Sequence, residues 1–267
     1  MTKLTKRLVE KPWGKDTLPA PFTAPAGSRI GEVWFEPPAE LPSVLVKYIF
    51  TSDKLSVQVH PSDAEARQLG EHDRGKEECW LVIDAEPRAA LGVGFHKPVG
   101  IDEMRQAALD GSIEDLLVWH PVVAGDFFYI PAGTVHAIGA GVSLIEIQQN
   151  SDITYRLYDY GRPRELHLDR GSAVAKGEPY DPALRFHLPA SGTVELARGP
   201  YFLAHRVDGV PDDALLSKYS APCLVIPRAG TVTIGADTVE VGECAVAGAV
   251  TDVHFDPQGA CILVRAA

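Results

Sequence analysis

The sequence predicts a mainly β protein built from two jelly-roll barrels with a small helical insert. Three observations predict it. Apolar and polar residues alternate over short runs such as Leu55-Ser56-Val57-Gln58-Val59-His60. That period of two puts Ser56, Gln58 and His60 on one strand face. Turn residues punctuate the runs, as in Pro131-Ala132-Gly133 and Gly235-Ala236-Asp237. Finally, Gly242-Glu243-Cys244-Ala245-Val246 echoes Gly125-Asp126-Phe127-Phe128-Tyr129, a Gly-acid turn followed by a strand. Residues 201–267 therefore read as a degenerate second copy of the first barrel.

Taken in order, residues 1–30 are Pro-rich and read as an irregular arm over the scaffold. Residues 31–35 and 43–50 are strands. Pro61 ends the strand that carries His60, and Ser62 with Glu65 forms a capping box for a short helix. Residues 78–83 and 88–95 are strands. Residues 97–118 form the helical insert, with helical periodicity over 101–109 and 112–118 and a second cap at Ser112 with Asp115. Strands resume over 127–130, 135–138 and 142–149. In the last, Ile145 and Ile147 share one face, and Leu144, Glu146 and Gln148 the other. The stretch 150–162 is dense in charge and aromatics, as an edge strand can be. A helix over 165–176 and a Pro/Gly linker over 177–200 complete a first unit, 1–170, and a 171–200 connection to the second.

The chain has 267 residues, enough for one large β domain or two smaller ones. Its 25 basic and 36 acidic residues give a formal charge of −11, which opposes nucleic-acid binding. No apolar run approaches the roughly 18 residues of a membrane span. The N-terminus lacks the apolar core of a signal peptide. Cys79, Cys223, Cys244 and Cys261 show no metal or disulfide spacing and read as cytosolic thiols, so a cytoplasmic protein is expected. Nothing in the sequence fixes the oligomeric state.

The polar strand face is half of a metal site. Two other stretches supply the rest: Glu77-Glu78 at the start of a strand, and His136 just after the Pro-Ala-Gly turn. Gln58, His60, one of Glu77 or Glu78, and His136 make an N2O2 set suited to Zn²⁺ or another first-row metal.

Five pieces, SVQVHP, GKEECW, PAGTVHA, SDITYRLYDYGR and the early PWG/GEVW, resemble in order the type I mannose-6-phosphate isomerases, most of all their short bacterial form. The resemblance runs from about residue 11 to 170 and implies a cupin fold. It further implies a zinc-dependent aldose–ketose isomerase acting on mannose 6-phosphate and fructose 6-phosphate. It puts the ligands on Gln58, His60, Glu78 and His136, one zinc per chain, and a reacting-end arginine on Arg156. It puts substrate contacts on Ser56, Lys47, Lys76 and Arg162, and a carboxylate on Glu146. The family often shows His-Lys-Pro-Glu, where this chain has His96-Lys97-Pro98-Val99. Isomerisation through an enediolate needs a base near two adjacent carbons and a stabilised oxyanion. Glu146, Lys97 and His96 all qualify as the base by residue type. Two other readings compete: a metal-dependent cupin dioxygenase and a non-catalytic cupin that binds a sugar phosphate.

Overall fold

The computed structural model describes residues 2–70 and 73–267, and it is built from antiparallel strands. The first unit begins with β1 (Lys6–Lys15), β2 (Ile30–Phe35), β3 (Val44–Phe50) and β4 (Val57–Val59). Then come α1 (Asp63–Gln68), β5 (Glu78–Ala85) and β6 (Ala90–Phe95), followed by α2 (Ile101–Asp110), α3 (Ile113–Leu116) and β7 (Leu117–Pro121). It closes with β8 (Asp126–Ile130), β9 (His136–Ile138), β10 (Val142–Gln149), β11 (Tyr155–Tyr158), α4 (Leu168–Val174) and β12 (Arg185–His187). Two sheets result, in the orders β1-β2-β3-β10-β5-β8-β12 and β11-β4-β9-β6-β7.

The second unit holds β13 (Val194–Arg198), β14 (Phe202–Asp208), α5 (Asp213–Lys218), β15 (Cys223–Ala229), β16 (Val232–Ile234), β17 (Asp237–Val239), β18 (Ala245–Ala247), β19 (Val253–Phe255) and β20 (Ala260–Ala266). Its sheets run β13-β14-β20-β15-β18 and β17-β16-β19. The β16–β17 hairpin turns on Gly235, at φ +61°, and Ala236, with Ile234 paired to Asp237. Only glycine takes the first central position of such a two-residue turn without strain.

Four layers of sheet follow from two-faced strands. Ile145 and Ile147 of β10 meet Ile262 and Val264 of β20 in one core between the units. The opposite face of β10 turns into the first barrel, where Leu144 joins Trp80, Leu91, Phe128 and Ile138. Helices α2 and α4 cover the outside of the five-stranded sheet, burying Met104, Ala108 and Val174 against Val57, Val59 and Leu157. A third core fills the second barrel. Each fully buried aliphatic side chain contributes about 1.5–3 kcal/mol, so the shared core ties the two units firmly.

Several expectations need correction. The N-terminal arm is not irregular: β1 is a ten-residue edge strand whose Trp13 is buried. Its charges lie outward, which hides the alternation. Residues 177–200 are not simply a linker, because β12 and β13 lie there and β12 pairs with β8. The insert's second helix is a single turn. The Ser112 hydroxyl donates to Asp110 at 2.6 Å instead of capping the helix, and Leu117 onward is strand. The capping box at Ser62 and Glu65 forms as expected. No helix among the described residues is long and apolar enough to cross a membrane.

Candidate active site

One end of the first barrel is filled by apolar side chains and the other opens as a polar cavity of about 400 Å³. Strand register builds its two walls. On the seven-stranded sheet, Trp34, Lys47, Glu146 and Trp80 are successive cross-strand partners. On the facing sheet, Arg156, Gln58 and His136 form the corresponding row. Glu78 pairs across to Gln148, two residues along β10 from Glu146.

His60, Glu78 and His136 come together from three strand ends. Their ligand atoms all lie within 4.8 Å of one another and all three residues are buried. The turn carrying His136 is fixed by Thr134 N–H donating to Pro131 C=O, with Gly133 at φ +84°, where a side chain would be strained. Gly133 N–H then donates to the His60 carbonyl at 2.8 Å, which locks the two histidines together.

Both imidazoles are set as ligands. His60 Nδ1 donates to Ile153 C=O at 2.7 Å, and His136 Nδ1 donates to Thr134 C=O at 2.9 Å. Each Nε2 is thereby left as a lone-pair atom facing Glu78, at 3.8 Å for His60 and 3.4 Å for His136. Burial holds both rings neutral. It pulls His136 down to about 4 and His60 well below its ordinary value. Neither Glu78 oxygen accepts a well-directed hydrogen bond, although Lys76 Nζ lies 2.7 Å from one of them. A buried carboxylate so under-served beside two imidazole lone pairs is a donor set that could hold a divalent metal. Gln58 adjoins it, its amide 3.2 Å from His136 Nε2 and accepting from Ser56 Oγ at 3.1 Å. An amide turned over would present oxygen to the same point.

Beside this set lies a charge cluster. Glu146 accepts from Lys47 at 3.1 Å and from Trp80 Nε1 at 3.1 Å, and Lys76 lies 3.7 Å away. Burial disfavours the Glu146 charge, but Lys76 and Lys47 more than offset it and hold the carboxyl down to about 2. Burial and the Glu146 charge push Glu78 up to about 7. Burial lowers Lys76, but Glu146 and Glu78 outweigh it and keep it a cation. The Lys47 ammonium also lies 4.3 Å from the centre of the Trp34 ring. Gly75 admits this arrangement, since a Cβ there would lie 2.2 Å from Pro61 O.

The cavity thus brings together Lys47, Ser56, Gln58, Lys76, Glu146 and Arg156. Of the other expected residues, His60, Glu78 and His136 lie buried behind this lining, in contact with Gln58 and Lys76, and three lie away from it. His96 and Lys97 are exposed, and Lys97 pairs with Glu103 at 3.3 Å. Val99 is buried in the outer core. Arg162 turns away to Lys54 C=O, at 2.6 Å, and to Asp159, at 3.0 Å. Arg164 takes the cavity position, held at 2.6 Å by each oxygen of the same Asp159. Nothing in the spacing separated Arg162 from Arg164. His167 and Trp34 also line the cavity. The sequence marks Trp34 only as part of a family motif, and His167 falls inside the expected helix over 165–176, whereas the helix starts at Leu168.

No family model matches the chain. A mannose-6-phosphate isomerase of Streptococcus mutans is 38% identical over 205 residues, covering 72% of this chain and 63% of the relative. One from Bacillus subtilis is 44% identical over 137 residues, covering 49% and 43%. The chain therefore spans less than two thirds of the length of these relatives in the matched regions. In three dimensions it is similar to the crystal structure of a mannose 6-phosphate isomerase from Bacillus subtilis, at TM-score 0.80 and 24% identity over 99% of each chain. It is also similar to a zinc-bound mannose 6-phosphate isomerase structure, at TM-score 0.74 and 14% identity over 99% of each. These two likenesses show the cupin fold.

Proposed function

We propose that this chain, which belongs to the mannose-6-phosphate isomerase family, is a zinc-dependent isomerase that interconverts mannose 6-phosphate and fructose 6-phosphate. The observation that carries the reading is the buried His60–Glu78–His136 set, whose neighbours Gln58 and Lys76 line a cavity rich in cations in an acidic protein. We assign the metal to those three residues and Gln58. When bound, the metal supplies a Lewis acid for the substrate's carbonyl and hydroxyl oxygens.

Glu146 takes the proton. The substrate opens to its aldehyde, the carboxylate removes the hydrogen from C2, and an enediolate forms. The same carboxylate returns that proton to C1 while the O2 hydroxyl proton passes to O1, giving the ketose. Of the three residue types that qualified by sequence, only Glu146 is in the cavity, where Trp80 orients it. Its pairing with Lys47 and Lys76 keeps it ionised at neutral pH. Arg156 adds charge stabilisation at the reacting end. Lys47, Lys76 and Ser56 hold the substrate, with Arg164 in the role first given to Arg162. Four free, buried cysteines support a reducing, cytoplasmic setting.

A coupled assay on mannose 6-phosphate and on free mannose, with and without chelator, tests this. Turnover of the phosphate ester that is lost on chelation supports the proposal. Equal turnover of free mannose would show that the cavity is not a phosphate site, and binding without turnover would favour the non-catalytic reading.

A further inference from the structure

Arg156 stands on β11, an edge strand, so one side of its backbone has no partner in the sheet. Its ladder on the other side is irregular, because the pairing with β4 shifts between Arg156 and Tyr158. Among the cavity's strand residues, Lys47, Glu146 and Gln58 rise from ladders paired on both sides. A residue placed to stabilise charge must be held closely, and Arg156 would be the loosest of these strand residues without outside support.

The segment just before α4 supplies that support. His167 N–H donates to Arg156 C=O at 2.7 Å, and Arg156 N–H donates to His167 Nδ1 at 3.1 Å. One residue therefore satisfies both outward backbone groups of Arg156, one with its main chain and the other with its ring. The guanidinium is steadied from the same segment, with Nη1 donating to Glu165 C=O at 3.3 Å. Because Nδ1 accepts, the ring proton sits on Nε2. The anchor is itself fixed. Gly171 N–H donates to the His167 carbonyl at 2.7 Å, and Gly171 sits so close to β11 that a Cβ would lie 2.6 Å from Leu157 Cδ2. Helix α4 thus presses His167 onto the strand edge.

We infer that His167 is a positioning residue for Arg156, acting through its Nδ1 acceptor. The inference deepens the isomerase reading above and rests on it for its kinetic consequence. Its test uses the full-length, metal-loaded chain with three variants. Asn at 167 places Oδ1 about where Nδ1 stands, Gln places its oxygen further out, and Leu has no acceptor. His167→Leu and His167→Gln should lower kcat and kcat/KM together by about 10- to 100-fold, with metal content and KM little changed. His167→Asn should stay within about fivefold of wild type. Exchange of the Arg156 amide proton, followed by NMR, should speed up in the Leu and Gln variants and remain slow in the Asn variant. An Asn variant as impaired as the Leu variant, or a Leu variant matching wild type in rate and amide exchange, overturns the inference. If wild type turns over no mannose 6-phosphate, the isomerase reading fails, while amide exchange still decides whether His167 holds Arg156.

Discussion

The two barrels share a plan and differ in one face. Their central strands, β10 and β20, each give their outer residues to the common core, Ile145 and Ile147 from one and Ile262 and Val264 from the other. Their inner residues part company. Strand β10 turns Glu146 and Gln148 inward, whereas β20 turns Cys261 and Leu263 inward among Val207, Val225 and Val232. Among the described residues, the only buried polar or charged side chain beyond residue 200, tyrosines and cysteines aside, is His205. A barrel interior filled with aliphatic side chains is a solved packing problem and can do no chemistry. An interior that carries Lys47, Lys76, Glu78 and Glu146 is stable only because each charge faces another. The second barrel therefore serves as support, and the first gives up packing for a site.

The largest test of that division removes a ligand. His60→Ala should lose the metal outright and lower turnover by more than about 10³-fold. Even residues that merely orient ligands cost 10- to 100-fold when removed. His254→Ala, exposed on the second barrel, should change neither. Elemental analysis beside steady-state rates reads both, and a His60→Ala protein with one metal per chain would undo the assignment. Next in size, Arg156→Ala should lower kcat and kcat/KM together by about 10²–10³-fold at unchanged metal content, as expected when a charge stabiliser is lost. A rise in KM alone would make Arg156 a binding residue instead.

The converse change belongs in the second barrel. Leu263→Ala should destabilise the fold by about 2–5 kcal/mol, the cost of a cavity in a packed interior, and leave turnover per folded molecule unchanged. Urea titration with activity measured below the transition checks it. A variant of native stability but low turnover would show that the second barrel tunes the site directly.

Where alternation could operate, the site was legible. Parity along a strand placed Gln58 and His60 together, and it set Glu146 apart from Ile145 and Ile147. It also directed Cys79 into the shared core, away from Glu78. Parity has no force where the chain leaves the ladder. Arg162 and Arg164 lie in a turn around Pro163, and one Asp159 carboxylate sends them in different directions. His96 and Lys97 follow directly on β6, yet they face solvent. His167 is tied to Arg156 by a contact eleven residues back in the chain, and no local periodicity encodes such a contact. The strands β1 and β12 escaped for a related reason: both are edges with charged or exposed residues and little alternation.

The smallest expected effect concerns His205, the exception inside the second barrel. Its Nδ1 lies 2.9 Å from Tyr219 Oη and its Nε2 lies 3.5 Å from Glu195. Burial, reinforced by Lys218, lowers it to about 4, and Glu195 only partly opposes this. The folded chain therefore keeps His205 neutral, while the unfolded chain protonates it near pH 6.5. Between those values the unfolded state binds the extra proton, so stability rises with pH. The contribution is fully present above about pH 6.5 and is lost as pH falls toward about 4, with a slope of at most ~1.4 kcal/mol per pH unit. His60 and His136 titrate with the same sign in metal-free protein, so the useful quantity is a difference between two chains under one condition. His205→Leu should show a shallower loss of stability than wild type when both are unfolded in urea at pH 7, 6 and 5. It should also keep full metal content and turnover. Tyr219 Oη still reaches the Leu263 carbonyl, at 3.1 Å, in that variant, so any offset at pH 7 leaves the slope readable. Equal slopes would mean that His205 carries its charge in the folded chain. The second barrel would then hold a buried imidazolium paired with the exposed Glu195, and the contrast between the two interiors would be one of degree.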